Sequence, residues 1–362
     1  MSPDVAIIGG GIVGCAAAAL MAEAGARVEV FERDEVAAGA SGRNSGVVQH
    51  PFDGVLAGLH AETLSLYREL EGLGLPDDPV GVLMLARKPA ELAGPALEIG
   101  RDTPELSPQL LGPDEVHELE PALGRGLYGC RLETGYPVRP ATATRAFARR
   151  AHALGVVFRE HEVAWPWVGS GRARGVIAAG VRRPADAVLV TAGPWTPEVV
   201  DTTGGWRPIV PVWGVVVEVE LSHPPRHVVE EAGVEAVAAG PGTVDRPGGT
   251  VFSAVTADGV TSVGSTFLDH EPDPHAWAGA IRRGGVPFLP ALADAEIRGL
   301  RACARPQSLD GRPLIGAGID GLWVAAGHGP WGISTGPATA RIVADAILTG
   351  AAVPAALSVR RV

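Results

Sequence analysis

The feature that most constrains the fold is a glycine pattern, Gly9-x-Gly11-x-x-Gly14, near the start of the chain. The apolar residues before it, DVAII, predict a buried strand, and the residues after it predict a helix from about Ile12 to Ala24. In this setting the first glycine permits a tight turn, the second lets a ligand approach the backbone, and the third packs the helix on the strand. The N–H groups at the start of such a helix attract phosphate. The pattern therefore predicts a unit that binds a dinucleotide.

The rest of the chain indicates which dinucleotide is bound. The second strand, ARVEVFER, ends in Glu32, where a carboxylate can accept hydrogen bonds from ribose hydroxyls. A nicotinamide enzyme would usually continue its parallel strands directly, whereas this chain inserts the small-residue segments GASGRNSGVV, VTAGPWT and AAGHGPWGIS. These segments favour FAD. The candidate FAD-binding residues in and around these segments, the glycine pattern and the second strand are Gly9, Gly11, Ile12, Val13, Gly14, Glu32, Arg33, Ser41, Gly42, Arg43, Asn44, Ser45, Gly46, Val47, Val163, Ala192, Gly193, Gly327, Gly329, Pro330, Trp331, Gly332 and Ile333.

Composition limits the partners and the compartment. With 362 residues, the chain is long enough for two joined domains. A formal net charge of −11 argues against a nucleic-acid partner or an anionic membrane surface. The three cysteines, Cys15, Cys130 and Cys303, are far apart and odd in number, which predicts reduced thiols and a cytoplasmic location. We expect neither a signal peptide nor a membrane span, because glycines interrupt the apolar N-terminus and no later stretch is long enough.

Several motifs together resemble those of the FAD-dependent glycine oxidase, D-amino-acid oxidase and sarcosine oxidase family over nearly the whole chain. They are IIGGGIVG, ERD, ASGRNSG, ADAVLVTAGPW, ARPQSLDGRPLIG and GHGPWG. The resemblance implies an α/β fold of the two-domain α+β type, in which a glutathione-reductase-like Rossmann domain that binds FAD is interleaved with a substrate domain built on a mixed sheet. The implied FAD-binding residues are 1–75, 140–205 and 305–362, and the implied substrate-binding residues are 76–139 and 206–304.

The same resemblance implies hydride transfer from the α-carbon of a small amino or N-alkylamino acid to flavin N5. A buried carboxylate calls for a guanidinium that can bind it in bidentate fashion, and Arg305 matches the arginine that glycine oxidases use for this purpose. Trp331 is a candidate for the pocket wall, and His50 is a candidate polar group near the flavin face. The expected partners are a small carboxylate substrate and dioxygen or another electron acceptor. We expect slow reaction with oxygen, because Lys88 falls outside the strand that carries a flavin-facing lysine in sarcosine oxidases.

Cys303 lies two residues before Arg305, and alternate residues of a strand share a face. It matches the cysteine that sarcosine oxidases bond to the flavin, whereas glycine oxidases carry glycine there and hold FAD without a bond. A buried cysteine is more often a small apolar filler. We therefore favour non-covalent FAD, with attachment through Cys303 as the alternative.

Two other functions are left open by the sequence. GRNSGVV also resembles a segment of L-2-hydroxyglutarate oxidases, which place a histidine where Gln49 stands. A 2-hydroxy acid is thus the alternative substrate, and its hydroxyl proton would require a base. The third candidate is a non-catalytic binding protein built on a flavin fold, although the retained cofactor glycines and Glu32 favour an enzyme.

Overall fold

The structure, a computed structural model, describes residues 4–233 and 249–361. The helices are α1 (Ile12–Glu23), α2 (Ala40–Arg43), α3 (Gly54–Arg68), α4 (Ala90–Asp102), α5 (Pro113–Leu119), α6 (Thr142–Ala153), α7 (Thr196–Val200), α8 (Pro274–Gly285) and α9 (Gly332–Thr349). The strands are β1 (Val5–Ile8), β2 (Val28–Phe31), β3 (Val47–Val48), β4 (Val82–Ala86), β5 (Gln109–Leu111), β6 (Tyr128–Leu132), β7 (Tyr136–Pro137), β8 (Val157–Arg159), β9 (Ala164–Gly169), β10 (Arg172–Ala178), β11 (Val181–Pro184), β12 (Ala187–Val190), β13 (Ile209–Val219), β14 (Val228–Glu231), β15 (Thr250–Ala257), β16 (Val260–Thr266), β17 (Ile297–Ser308), β18 (Leu314–Ile319) and β19 (Leu322–Ala326).

A six-stranded sheet carries the N-terminal glycine pattern. Its order is β18-β19-β12-β1-β2-β8, with β18 antiparallel at one edge and the other strands parallel. Helices α1, α6 and α9 cover one face, where Val5 and Ile7 are buried. The small antiparallel sheet β11-β10-β9 covers the other face, where Ala6 and Ile8 are buried. Because both faces are covered, β1 is a continuous apolar run rather than an alternating one.

An eight-stranded mixed sheet forms the second layer of the molecule. Its order is β17-β13-β16-β15-β14-β4-β6-β5, and β14 and β4 are its parallel pair. Helix α8 packs on one face, where Val215, Val217 and Phe252 are buried against Ile281. On the strands β13 to β17 the opposite face is turned toward the six-stranded sheet, and it carries the cavity described below.

Local sequence explains where the helices around this cavity begin and end. Helix α3 begins after Asp53, whose carboxylate accepts hydrogen bonds from the N–H groups of Val55 and Leu56. Helix α9 ends at Thr349 and is followed by Gly350, which has φ 75°. This left-handed conformation favours glycine and stops the helix.

The predicted architecture of a Rossmann-type sheet interleaved with a mixed-sheet unit is confirmed. The exact domain boundaries stay a prediction. Strand β17 runs unbroken from Ile297 to Ser308 and so crosses the predicted boundary at 304/305. Within the described residues, no helix combines the length and the apolar composition needed to cross a membrane.

Candidate functional site

A cavity of about 810 Å³ lies between the two large sheets. This volume is near the upper end of the ~300–1,000 Å³ that is usual for ligand pockets. Its walls are the carboxyl ends of β1, β2 and β12, the inner face of β13 to β17, and the start of α9. Open α/β sheets bind their ligands in the crevice outside the carboxyl ends of the strands, so this cavity is the candidate site.

The glycine pattern forms one end of the cavity. Gly9 has φ 116°, and a Cβ there would lie 2.6 Å from the carbonyl oxygen of Thr191. Gly11 faces the hydroxyl of Ser41, which accepts a hydrogen bond from the first N–H of α1 at 2.9 Å. Gly14 does not line the cavity. A Cβ there would lie 2.0 Å from the Gly9 oxygen, so Gly14 permits the close packing of helix on strand that the pattern predicts.

Acidic and aromatic groups follow at the end of β2. One oxygen of Glu32 accepts a hydrogen bond from the Gly10 N–H at 2.7 Å, and the other accepts one from the Asp34 N–H at 3.0 Å. The Arg33 guanidinium lies over the Trp195 ring, 4.0 Å from its centroid. All of these residues line the cavity. The N-terminus of α1 attracts phosphate and Glu32 can bind a ribose, so these residues fit the ADP part of FAD.

The second glycine-rich segment runs along one wall of the cavity. The Asn44 side chain fixes the turn of this segment. Its amide nitrogen donates to the backbone carbonyl oxygen of Ser41 at 2.8 Å, and its amide oxygen accepts from the Gly46 N–H at 2.9 Å. Gly42 and Gly46, predicted to contact FAD, do not line the cavity. A Cβ on Gly42 would lie 2.1 Å from the Ala37 oxygen, so this glycine permits close backbone packing. The members of the segment that do line the cavity are Ser41, Arg43, Asn44, Ser45 and Val47.

Three further predicted cofactor positions, Val163, Ala192 and Gly193, also line the cavity. Ala192 and Gly193 follow β12 and lead into the short 3-10 helix Gly193–Trp195. Val163 lies between β8 and β9 and is half exposed, at 52%. These positions place the loop after β12 beside the glycine pattern, as expected for parallel neighbouring strands.

Arg305 and Cys303 lie on the same face of β17, and both line the cavity as predicted. The Arg305 guanidinium donates to the backbone carbonyl oxygen of Thr266 at 3.0 Å and to the Ser265 hydroxyl at 2.6 Å. It also lies over the Phe267 ring, 4.4 Å from the centroid. Two hydrogen bonds leave three of the five guanidinium N–H donors available to a ligand.

Gly214 on β13 makes room for this guanidinium. A Cβ at Gly214 would lie 2.4 Å from Nη2 and 2.6 Å from Cζ of Arg305. The β13–β17 pairing places Gly214 opposite Cys303, one pair away from Trp213 and Ala304. The need for glycine therefore arises from a neighbouring strand, and the sequence of β13 gave no signal of it.

Burial lowers the pKa of Arg305, because desolvation disfavours the charged guanidinium. Guanidinium groups nevertheless remain protonated at neutral pH. Within residues 4–233 and 249–361, no carboxylate forms an ion pair with Arg305. A partly buried cation without a protein counter-ion is costly, so the site favours an anionic ligand here.

Cys303 is a buried thiol. Burial raises its pKa, although the positive charges of Arg305, Arg301 and Arg43 act in the opposite direction. Its Sγ lies 3.6 Å from the Arg43 carbonyl oxygen. The thiol is therefore held in its neutral form.

The start of α9 closes the cavity from the remaining side. His328 is buried in this wall, with Nε2 3.1 Å from the Thr339 hydroxyl. Burial lowers the pKa of His328 to about 4, so the imidazole is neutral at neutral pH. Gly327, predicted to contact FAD, does not line the cavity. Its φ of 89° lies in the region that favours glycine, so this residue permits the turn between β19 and α9. The predicted residues that do line it are Gly329, Pro330, Trp331, Gly332 and Ile333.

His50 does not line the cavity, so the structure gives no support to a direct role on the substrate. Its Nε2 points to Glu105, 3.5 Å away, and its ring meets the ring of His60 at 5.3 Å. The turn after β3 directs Gln49 inward instead, and its amide donates to Glu230 at 3.2 Å. Gln49 and Glu230 both line the cavity, and no motif in the sequence marks them as a pair.

The comparisons with known proteins agree with this geometry. Residues 4–346 match the family described as DAO, FAD dependent oxidoreductase. The chain is 28% identical to the glycine oxidase of Pseudomonas aeruginosa over 95% of this chain and 94% of that one. It is 29% identical to the D-amino acid dehydrogenase of Sinorhizobium medicae, over 81% and 69%.

Its fold superposes on the iminodiacetate oxidase of Chelativorans sp. BNC1 with a TM-score of 0.82 and 27% identity, covering 98% of each chain. The sequence match, the shared fold and the cradle at the N-terminus of α1 lead to one conclusion. This chain belongs to the DAO family of FAD-dependent oxidoreductases.

Proposed function

We propose that the protein oxidises the Cα–N bond of a small amino or N-alkylamino acid. The observation that carries this proposal is the partly buried Arg305 guanidinium, which lines the cavity with donors available to a carboxylate. The names of its relatives, glycine oxidase, iminodiacetate oxidase and D-amino acid dehydrogenase, support the same substrate class. When bound, FAD supplies the acceptor for the hydride from the α-carbon.

The side chains around Arg305 would orient the substrate. Ser265 and Thr266, the last two residues of β16, accept hydrogen bonds from the guanidinium and fix its orientation. The Phe267 ring packs against one face of the guanidinium. A bidentate pair with the substrate carboxylate then sets the direction of the α-carbon. The Trp213 and Trp331 side chains line the same space and would exclude water from it.

The 2-hydroxy acid alternative is less favoured by the site. That chemistry needs a base for the hydroxyl proton, and the two positions at which the resemblance would put one do not supply it, since Gln49 is an amide and His50 lies outside the cavity. An amine forms its iminium product without such a base once it is unprotonated.

An anaerobic substrate screen tests the proposal. We expect glycine, sarcosine, iminodiacetate or a small D-amino acid to bleach the flavin absorption of the purified protein. We expect L-2-hydroxyglutarate and lactate to leave it unchanged. Bleaching by a hydroxy acid alone would reverse our assignment.

The electron acceptor is proposed to be dioxygen or another oxidant. Lys88 lies in the exposed turn after β4 and does not line the cavity. This position supports slow reaction with oxygen, which stays a prediction, as does the cytoplasmic location. Arg43 is a cationic residue of the cavity wall that could take the place of the lysine.

We expect FAD to be held without a covalent bond, because burial disfavours the thiolate of Cys303 that such a bond requires. Acid precipitation should therefore leave the flavin in the supernatant and a colourless pellet. Cys303→Ser is the control, and it should behave in the same way. A yellow pellet from the wild type, lost in Cys303→Ser, would establish the bond.

Gly214→Ala is expected to raise KM for the carboxylate substrate by about ten- to a hundredfold, since small displacements of a binding group have effects of this size. The new Cβ would lie 2.4 Å from Nη2 of Arg305 and force the guanidinium to move. Gly318→Ala is the matched control, because Gly318 also lies in a strand but has open space around it. Equal KM values for the two variants would disprove the role of Gly214.

A further inference from the structure

The segment from Gln49 to Asp53, of which Gln49 and Phe52 line the cavity, is fixed by hydrogen bonds at almost every residue. The Gln49 N–H donates to the Ser334 hydroxyl at 2.9 Å, and the His50 N–H donates to the Thr134 hydroxyl at 3.0 Å. Asp53 caps α3 and forms an ion pair with Arg312 at 3.1 Å. Phe52, between these anchors, lines the cavity.

Phe52 has a backbone conformation that needs support. Its φ is 55°, in the left-handed region that bulky residues rarely adopt. Its N–H donates to Nδ1 of His50 at 3.2 Å. A side chain that accepts from the N–H two residues later stabilises a tight turn, as Asn and Asp side chains do. His50 is thus the group that holds Phe52 in this conformation.

This hydrogen bond also fixes the proton of His50. Since Nδ1 accepts from Phe52, the ring proton lies on Nε2, which faces Glu105 at 3.5 Å. The Phe52 ring meets Trp331 edge to face, with centroids 6.2 Å apart and an interplanar angle of 81°. Trp331 lies at the start of α9 and lines the same cavity.

We propose that His50 is a positioning residue, which holds Phe52 against Trp331 in the wall of the substrate cavity only while its imidazole is neutral. The proposal rests on the proposed function in one respect, namely that the cavity binds the substrate. It goes beyond that function because it gives the site a built-in dependence on pH. The chain of contacts is His50 to Phe52 to Trp331, and His50 itself touches no substrate.

The charges around His50 determine the direction of this dependence. Burial lowers the pKa of His50, and Glu105, from the 3-10 helix Pro104–Leu106, acts in the opposite direction. His60, from α3, remains neutral because burial and His50 lower its pKa to about 4. As the pH falls through the pKa of His50, Nδ1 gains a proton and can no longer accept from Phe52. Two N–H donors then face each other, and the wall loses its anchor.

Two substitutions at His50 separate the acceptor from the charge. His50→Asn keeps an oxygen that can accept from the N–H two residues later, but it cannot be protonated. His50→Leu keeps an apolar volume and loses the acceptor. We would measure the affinity of each FAD-loaded variant for benzoate, by the change in flavin absorption, at about pH 8 and about pH 4.5, because the lowered pKa places the titration of His50 below the ordinary histidine range.

We expect wild-type affinity to fall by about five- to tenfold at the lower pH, the size expected for one lost hydrogen bond. His50→Asn should keep the wild-type affinity of high pH at both values. His50→Leu should bind weakly at both. A wild-type acid response in His50→Asn, or wild-type affinity in His50→Leu at high pH, would overturn the proposal.

Phe52→Gly provides a second, independent variant. Glycine adopts positive φ without strain, so the turn should form without help from His50. In this background, His50→Leu should cause no further loss of affinity, because the two residues act through one contact. An additive loss would show that His50 acts by another route. Benzoate binding does not depend on turnover, so failure of every amino acid in the substrate screen would leave this test intact.

Discussion

Arg305→Ala is expected to reduce kcat/KM for the amino acid substrate by about 30- to 5,000-fold, which corresponds to about 2–5 kcal/mol for a lost buried, charge-assisted pair. Arg305 lies within the cavity on β17, and its guanidinium is pre-oriented by Thr266 and Ser265. Without it, a substrate carboxylate would enter the cavity with no counter-ion. The FAD content should be unchanged, since the ADP end of the cavity is formed by other elements.

Arg298→Ala is the matched control for this experiment. Arg298 lies on the same strand but is half exposed, and its partners are Glu220 and Glu296. Exposed ion pairs contribute little to stability, so this variant should retain wild-type kinetics. Arg305 is not the anchor if its alanine variant keeps kcat/KM within about threefold of wild type, since that is under 1 kcal/mol.

The second large effect is expected at the other end of the cavity, where Gly14→Ala should yield a colourless protein. The added Cβ would lie 2.0 Å from the Gly9 oxygen and 2.7 Å from the Thr191 hydroxyl. Helix α1 would have to move away from β1, and the phosphate-binding turn would move with it. Overpacking in a core typically costs about 1–3 kcal/mol, so the melting temperature should fall as well.

The ratio of flavin to protein absorbance and the thermal melt with added FAD measure both effects. Gly58→Ala serves as the control, because Gly58 is an exposed residue within α3 with open space around it. Alanine there should raise stability by up to ~1 kcal/mol and leave FAD bound. A yellow Gly14→Ala protein with the wild-type absorbance ratio would contradict the role of this glycine.

Sequence could predict the parts of the site that depend on local rules. The three glycines and Glu32 follow from the geometry of one strand, one turn and one helix. The common face of Cys303 and Arg305 follows from the alternation of side chains along β17. In each case the neighbours that matter lie within a few residues or at a fixed spacing.

The parts that could not be predicted depend on contacts between distant segments. His50 points away from the cavity because of the turn at Phe52 and because Glu105 and His60, from later parts of the chain, surround its ring. Glu230 lines the cavity because β14 pairs with β4, a strand from much earlier in the chain. No local pattern contains this information.

The order of strands in the two large sheets has a consequence for synthesis on the ribosome. Strand β1 lies beside β12, and β12 lies beside β19, so the first sheet is completed only by Leu322–Ala326. Helix α9, which covers β1 through its packing on α1, follows still later. The second sheet likewise waits for β17. Neither core can close until almost the whole chain has emerged, so the apolar strands of the nascent protein stay exposed for most of its translation, a state in which chains are prone to aggregate.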